Sequence, residues 1–137
     1  MKKLITLLFI SICCIGYGQD TSPKSVFSYT GNSRIEADDE VWDFGKIAEN
    51  GGPVEHTFTI KNISDTPFII SNVTAACGCT TPFFSNKPIM PGETSEIKVR
   101  YDPKNRPGYF TKKIFIWTPD KGRTNVLLIK GYVFKEE

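Results

Sequence analysis

Beyond residue 33 the chain alternates apolar and polar side chains with a period of two, in short runs broken by turn residues. That period places successive side chains on opposite faces of a strand. Val54, His56, Phe58 and Ile60 fall on one face, and Glu55, Thr57, Thr59 and Lys61 on the other. Thr94–Tyr101 alternates in the same way through Ile97, Val99 and Tyr101, and Val41–Ile47 does so with Gly45 as an expected bulge. Arg34–Ala37 is a weak strand signal, Phe68–Ala76 an apolar β-branched one, and Tyr109–Trp117 and Asn125–Phe134 close the series. The turns between them fall at Asn50–Pro53, Asn62–Pro67, Pro88–Gly92, Asp102–Gly108 and Pro119–Gly122. In Pro91-Gly92-Glu93, Pro presets φ and Gly admits a positive one. No helical stripe of three turns occurs. Six or seven short strands at this spacing predict an all-β sandwich over residues 33–137. Ten phenylalanines supply a core whose buried side chains each contribute roughly 1.5–3 kcal/mol.

The first residues follow a different pattern. Lys2 and Lys3 precede an apolar run from Leu4 to Ile15, and Gly16-Tyr17-Gly18 offers small residues for a cut before Gln19. This is the three-part form of a secretory signal peptide over residues 1–18. The run is short for a bilayer span, which takes roughly 20 residues, so no stable membrane span is expected after cleavage. A lipid on Cys13 or Cys14 is the alternative fate, although neither follows the usual small residue. Residues 19–32, rich in Ser, Thr, Pro and Gly, read as a flexible arm. The expected location is the periplasm or the exterior.

Removing Lys2 and Lys3 leaves fifteen basic side chains against fifteen acidic ones. A balanced charge gives no footprint for nucleic acid. Removing Cys13 and Cys14 with the same segment leaves two of the four cysteines, Cys77 and Cys79, in Ala75-Ala76-Cys77-Gly78-Cys79-Thr80. If this stretch continues a strand, both sulfurs share a face. The pair is then open to three readings. A local disulfide closes a very small ring, which Gly78 eases by turning the backbone. A thiol-redox centre wants an electropositive neighbour, and Lys87 is the nearest in sequence. A copper or zinc site draws its other ligands from His56 or Met90. His56 also fits a half-buried ring with bonded nitrogens.

Several motifs follow in order: Phe44-Gly45-Lys46-Ile47, His56-Thr57-Phe58, Lys61-Asn62, Cys77-Gly78-Cys79-Thr80, Ile89-Met90-Pro91-Gly92-Glu93, Val99-Arg100-Tyr101 and Gly108-Tyr109-Phe110. Over Val41–Phe134 this resembles the bacterial domain-of-unknown-function family numbered 1573. The resemblance implies an exported immunoglobulin-like β-sandwich of about seven strands. It is related in architecture to major-sperm-protein-like and cilia-associated modules that serve in protein–protein contact. It implies no enzyme activity and brings no catalytic residues. Trp117-Thr118-Pro119 departs from the small polar pair common there, which affects only a loop.

The expectation is therefore a non-enzymatic module with no resident cofactor, contacting a cell-envelope protein. Phe83 and Phe84, just after the cysteines, mark a possible contact patch; Tyr109 and Trp117 also lie near turns. The alternative is a periplasmic thiol-redox or copper- or zinc-binding protein using Cys77 and Cys79. The sequons at Asn62 and Asn72 are read as chance. No phosphate loop, paired-carboxylate set or Ser/His/Asp set accompanies these features.

Overall fold

The alternation resolves into eight strands in a computed structural model, which describes residues 34–119 and 124–136. They are β1 (Ile35–Ala37), β2 (Val41–Ala48), β3 (Val54–Asn62), β4 (Asn72–Ala75), β5 (Thr80–Phe84), β6 (Thr94–Tyr101), β7 (Gly108–Trp117) and β8 (Thr124–Phe134). One sheet has the order β1-β3-β6-β5 and the other β2-β8-β7-β4. Pairing is antiparallel except between β2 and β8, which run parallel. The expected leader and arm lie outside the described residues.

Alternation places the core. On β3 and β6, Phe58, Ile60, Ile97 and Val99 are fully buried; on β7 and β8, Ile114, Ile116 and Ile129 face them. Tyr101 stacks on Phe110 across the two sheets, with centroids 4.0 Å apart and planes at 13°. The expected bulge is present. The β2–β8 register shifts between Asp43 and Lys46, and Gly45 takes φ +67° while its N–H donates to the Asp43 carboxylate. Directly beneath, Gly131 has no room for a side chain. A Cβ there would stand 2.9 Å from the Phe110 ring and 3.0 Å from the Gly45 carbonyl oxygen.

Two strand expectations are corrected. Phe68–Ala76 is not one strand: Phe68 forms an isolated bridge with Ile89, and β4 begins only at Asn72. Buried Phe68 and Ile70 sit where the chain passes from one sheet towards the other, so the apolar run fills the core without joining a ladder. Thr80–Phe84 was not expected to be a strand. It forms the edge of its sheet, the position where Pro82, having no N–H to give, is tolerated.

The outer strands are all poor templates for pairing with another chain. β1 has three residues, β4 has four, β5 carries Pro82 and β2 is bulged at Gly45. Short, proline-bearing and bulged edges resist strand addition.

Candidate functional site

Cys77 and Cys79 do not continue β4. The strand stops at Ala75, and the Thr80 N–H donates to the Cys77 carbonyl at 3.2 Å, closing a tight turn. This turn carries the chain from the second sheet to the first. It draws the two Cα atoms to 5.3 Å, and the cysteines form a disulfide. On a straight strand the same atoms would stand nearly 7 Å apart, at the edge of what a bridge spans. The turn is anchored on both sheets. Ala76 N–H donates to the Lys113 carbonyl at 3.1 Å, and Asp102 N–H donates to the Cys79 carbonyl at 2.9 Å.

Cys79 is buried at 5% exposure, Cys77 only partly so. The Thr80 hydroxyl, itself buried, lies 3.7 Å from the Cys77 sulfur and 3.8 Å from that of Cys79. Lys87, the nearest cation in sequence, follows β5 at the end of that strand remote from the cysteines.

The structure does not gather the other proposed ligands around the cysteines. His56 lies on β3, and β6 stands between β3 and β5. Two strand spacings put its backbone about 10 Å from that of β5. Its ring instead lies flat on Trp42 of the opposite sheet, with centroids 3.8 Å apart and planes at 7°, and meets Phe58 edge-on. His56 Nε2 and Trp42 Nε1 are buried without a hydrogen-bond partner, so the ring nitrogens are not both bonded as the half-buried reading expected. Burial lowers the His56 pKa below its ordinary value, and the charges of Asp38 and Asp39 offset this only in part. Met90 is exposed just before β6, whereas Cys79 sits beside the end of that strand. The length of β6 separates them by roughly 25 Å. Among the described residues, no group of three or more His, Cys, Asp or Glu side chains is arranged to hold a metal ion.

The expected aromatic patch divides. Phe83 is 50% exposed, while Phe84 packs against the core. More aromatic surface lies on the outer face of the β2-β8-β7-β4 sheet. Inward-facing Ile114 and Ile116 turn Phe115 and Trp117 outward, and Phe115 pairs with Val126. Trp117 is 45% exposed, its indole N–H donating to Thr74 Oγ1 at 3.2 Å. At the other end of the same face Tyr109 is 90% exposed and leans against Tyr132.

One residue that sequence reading took for the start of a turn proves structural. Asn62 is 1% exposed. Its Nδ2 donates to the carbonyls of Thr66 and Ile89, and its Oδ1 accepts from the N–H and hydroxyl of Ser64. A buried amide committed in this way is no acceptor for a glycan, so the sequon there is a coincidence of spelling.

Two four-stranded sheets packed around an apolar core, with a disulfide-closed crossover and exposed aromatics on one face, define an immunoglobulin-like β-sandwich. The chain belongs to the family described as protein of unknown function (DUF1573), whose model matches residues 35–133. A Porphyromonas gingivalis W83 protein of unknown function has a similar structure, with a TM-score of 0.60 at 18% identity. The match covers 72% of this chain and 46% of that one. The Vibrio cholerae VesB protease matches with a TM-score of 0.57 at 13% identity, over 73% of this chain and 31% of the protease. The Escherichia coli chaperone DraB matches with a TM-score of 0.52 at 10% identity, over 74% of this chain and 54% of the chaperone. This chain thus spans about half or less of the length of each, and at such identities the likeness is one of fold. No similar protein was found among curated proteins.

Proposed function

We propose that this chain is an exported, non-enzymatic module that works in the cell envelope by contact with another protein, through the outer face of the β2-β8-β7-β4 sheet. The observation that supports this is Trp117, 45% exposed on the outside of a well-filled sandwich, with half-buried Phe115 and Val126 on the same face. Large exposed aromatics are typical anchors of protein interfaces. The blunted edges favour a face over strand addition as the contact. In this reading Cys77–Cys79 is a staple at the sheet crossover. A thiol-active or copper-handling role would rest on Cys77, the more accessible sulfur, but His56 and Met90 stand away from it.

A photo-crosslinking residue at position 117 in the producing cells tests this, with Lys104, exposed on the β6–β7 turn, as the control position. A discrete adduct in the envelope fraction from position 117, retained when Cys77 and Cys79 are both serine, is expected. No adduct from 117, or one lost in the double-serine variant, would overturn the reading.

A further inference from the structure

We propose that the cleft beside the Gly45 bulge binds an acidic oligosaccharide, with a sugar ring stacked on Tyr109 and its carboxylate paired with Lys46. The cleft has a volume of about 620 Å³ and opens on the outer face where β2, β8 and β7 adjoin. It lies at the Tyr109 end of β7. Eight residue steps, about 27 Å, separate it from Trp117, so it is independent of the contact surface proposed above.

The site is built by non-local packing. Gly131 lacks a side chain, so the Phe110 ring and the Gly45 carbonyl close up beneath the floor. The bulge then sets Asp43 and Lys46 on one rim, opposite Tyr109 and Thr111, with Lys130 and Tyr132 between them on β8. Tyr109 and Tyr132 have centroids 4.7 Å apart and planes at 51°, forming a tilted cradle rather than a flat plate. Successive sugar rings in an oligosaccharide are also turned relative to one another. The C–H face of a sugar ring is apolar enough to lie on a tyrosine ring, and Tyr109 offers a face that its own fold leaves in water.

The rim chemistry selects the ligand class. Asp43 accepts hydrogen bonds, the lysines donate them, and the Thr111 hydroxyl does both. Sugar hydroxyls, each donor and acceptor at once, can answer all of these. A peptide strand adds at a sheet edge, through backbone groups lying in the plane of the sheet, whereas this cleft opens on a face. The charge gives the sign. Asp43 pairs with Lys130 at 3.5 Å. Lys46 forms no ion pair among the described residues, so a lining of one carboxylate and two lysines carries a net positive charge. The volume lies within the range of small-ligand sites.

The test is titration calorimetry of the purified protein with trigalacturonate and triguluronate, with neutral maltotriose for comparison. Tyr109→Ala and Lys46→Gln are the variants, and circular dichroism verifies their fold. At least one acidic trisaccharide is expected to bind more tightly than maltotriose. Tyr109→Ala should weaken it by about tenfold, the scale of one lost aromatic contact. Lys46→Gln should abolish the preference for the acidic sugar. The proposal is overturned if none of the sugars binds, if maltotriose binds equally well, or if Tyr109→Ala leaves the affinity unchanged. A protein adduct from a crosslinker at position 109, without sugar binding, would reassign the cleft to a polypeptide.

Discussion

Replacing Asn62 by alanine is expected to destabilise the domain by about 2–3 kcal/mol. The side chain makes four hydrogen bonds that tie the end of β3 to the following turn and to the segment before β6. Each such bond is worth about 1 kcal/mol net, which sets a ceiling of about 4 kcal/mol. Two considerations reduce it. The Ile89 carbonyl also accepts from the Phe68 N–H, at 3.2 Å, and so keeps one partner. The Ser64 groups and the Thr66 carbonyl are near enough to the surface for water to replace part of what is lost. Asn62→Asp separates the donors from the acceptors, because it keeps the bonds from Ser64 but sets a carboxylate against the two carbonyls that Nδ2 served. Its folded pKa must therefore rise above the unfolded value of about 3.9. The folded state then binds more protons than the unfolded one, and stability falls as pH rises from about 4 towards 7. Urea unfolding followed by tryptophan fluorescence reads both variants, and subtraction of the wild-type curve at each pH removes the titration of other groups. A loss below about 0.5 kcal/mol for Asn62→Ala, or an Asn62→Asp penalty that does not grow with pH, would refute the reasoning.

Gly131→Ala is expected to cost about 1–3 kcal/mol through overpacking, because the new Cβ meets a Phe110 ring held in its stack with Tyr101. Calorimetry should show a Tm lower by several degrees; an unchanged Tm would mean the β2 bulge yields freely. His56 makes the domain sensitive to acid. Its folded pKa lies below the ordinary histidine value of about 6.5, so the unfolded chain takes up a proton first. The penalty is absent well above pH 6.5 and grows as pH falls through the interval down to the folded pKa. His56→Gln should flatten that part of the stability curve, and equal slopes for the two proteins would exclude His56 as the cause. Asp38 adds to the loss at lower pH. Burial alone would raise its pKa, but hydrogen bonds from the Asp39 and Thr59 N–H groups, with the His56 charge, outweigh this and lower it.

The strands that alternate cleanly, β3, β6 and β7, are legible in the sequence because each buries one face, and β8 is legible as a short apolar run, Val126–Ile129, bounded by polar residues. Gly45 announces its bulge because the alternation breaks on a glycine. β5 is hidden by Pro82 and by two aromatics that suggest a loop. The residues from Phe68 to Ser71 mislead in the other direction, since burial without a ladder reads like a strand. The family resemblance is confirmed over residues 35–133. The disulfide was one of three open readings of the cysteine pair, and what decides its geometry is a turn between sheets, not a strand face. The Trp42–His56 stack and the Tyr109 cleft could not be read from the chain, because each joins segments far apart in sequence through the sheet order.

The parallel pairing of β2 with β8 also determines how the sandwich responds to pulling. Tension entering ahead of β2 and leaving beyond β8 acts in opposite directions along two strands that lie side by side. The pairs from Val41↔Leu128 to Ala48↔Phe134 are then loaded together in shear instead of being unzipped one at a time. A domain wired in this way behaves as a mechanical clamp, able to carry load between whatever is fastened to its two ends.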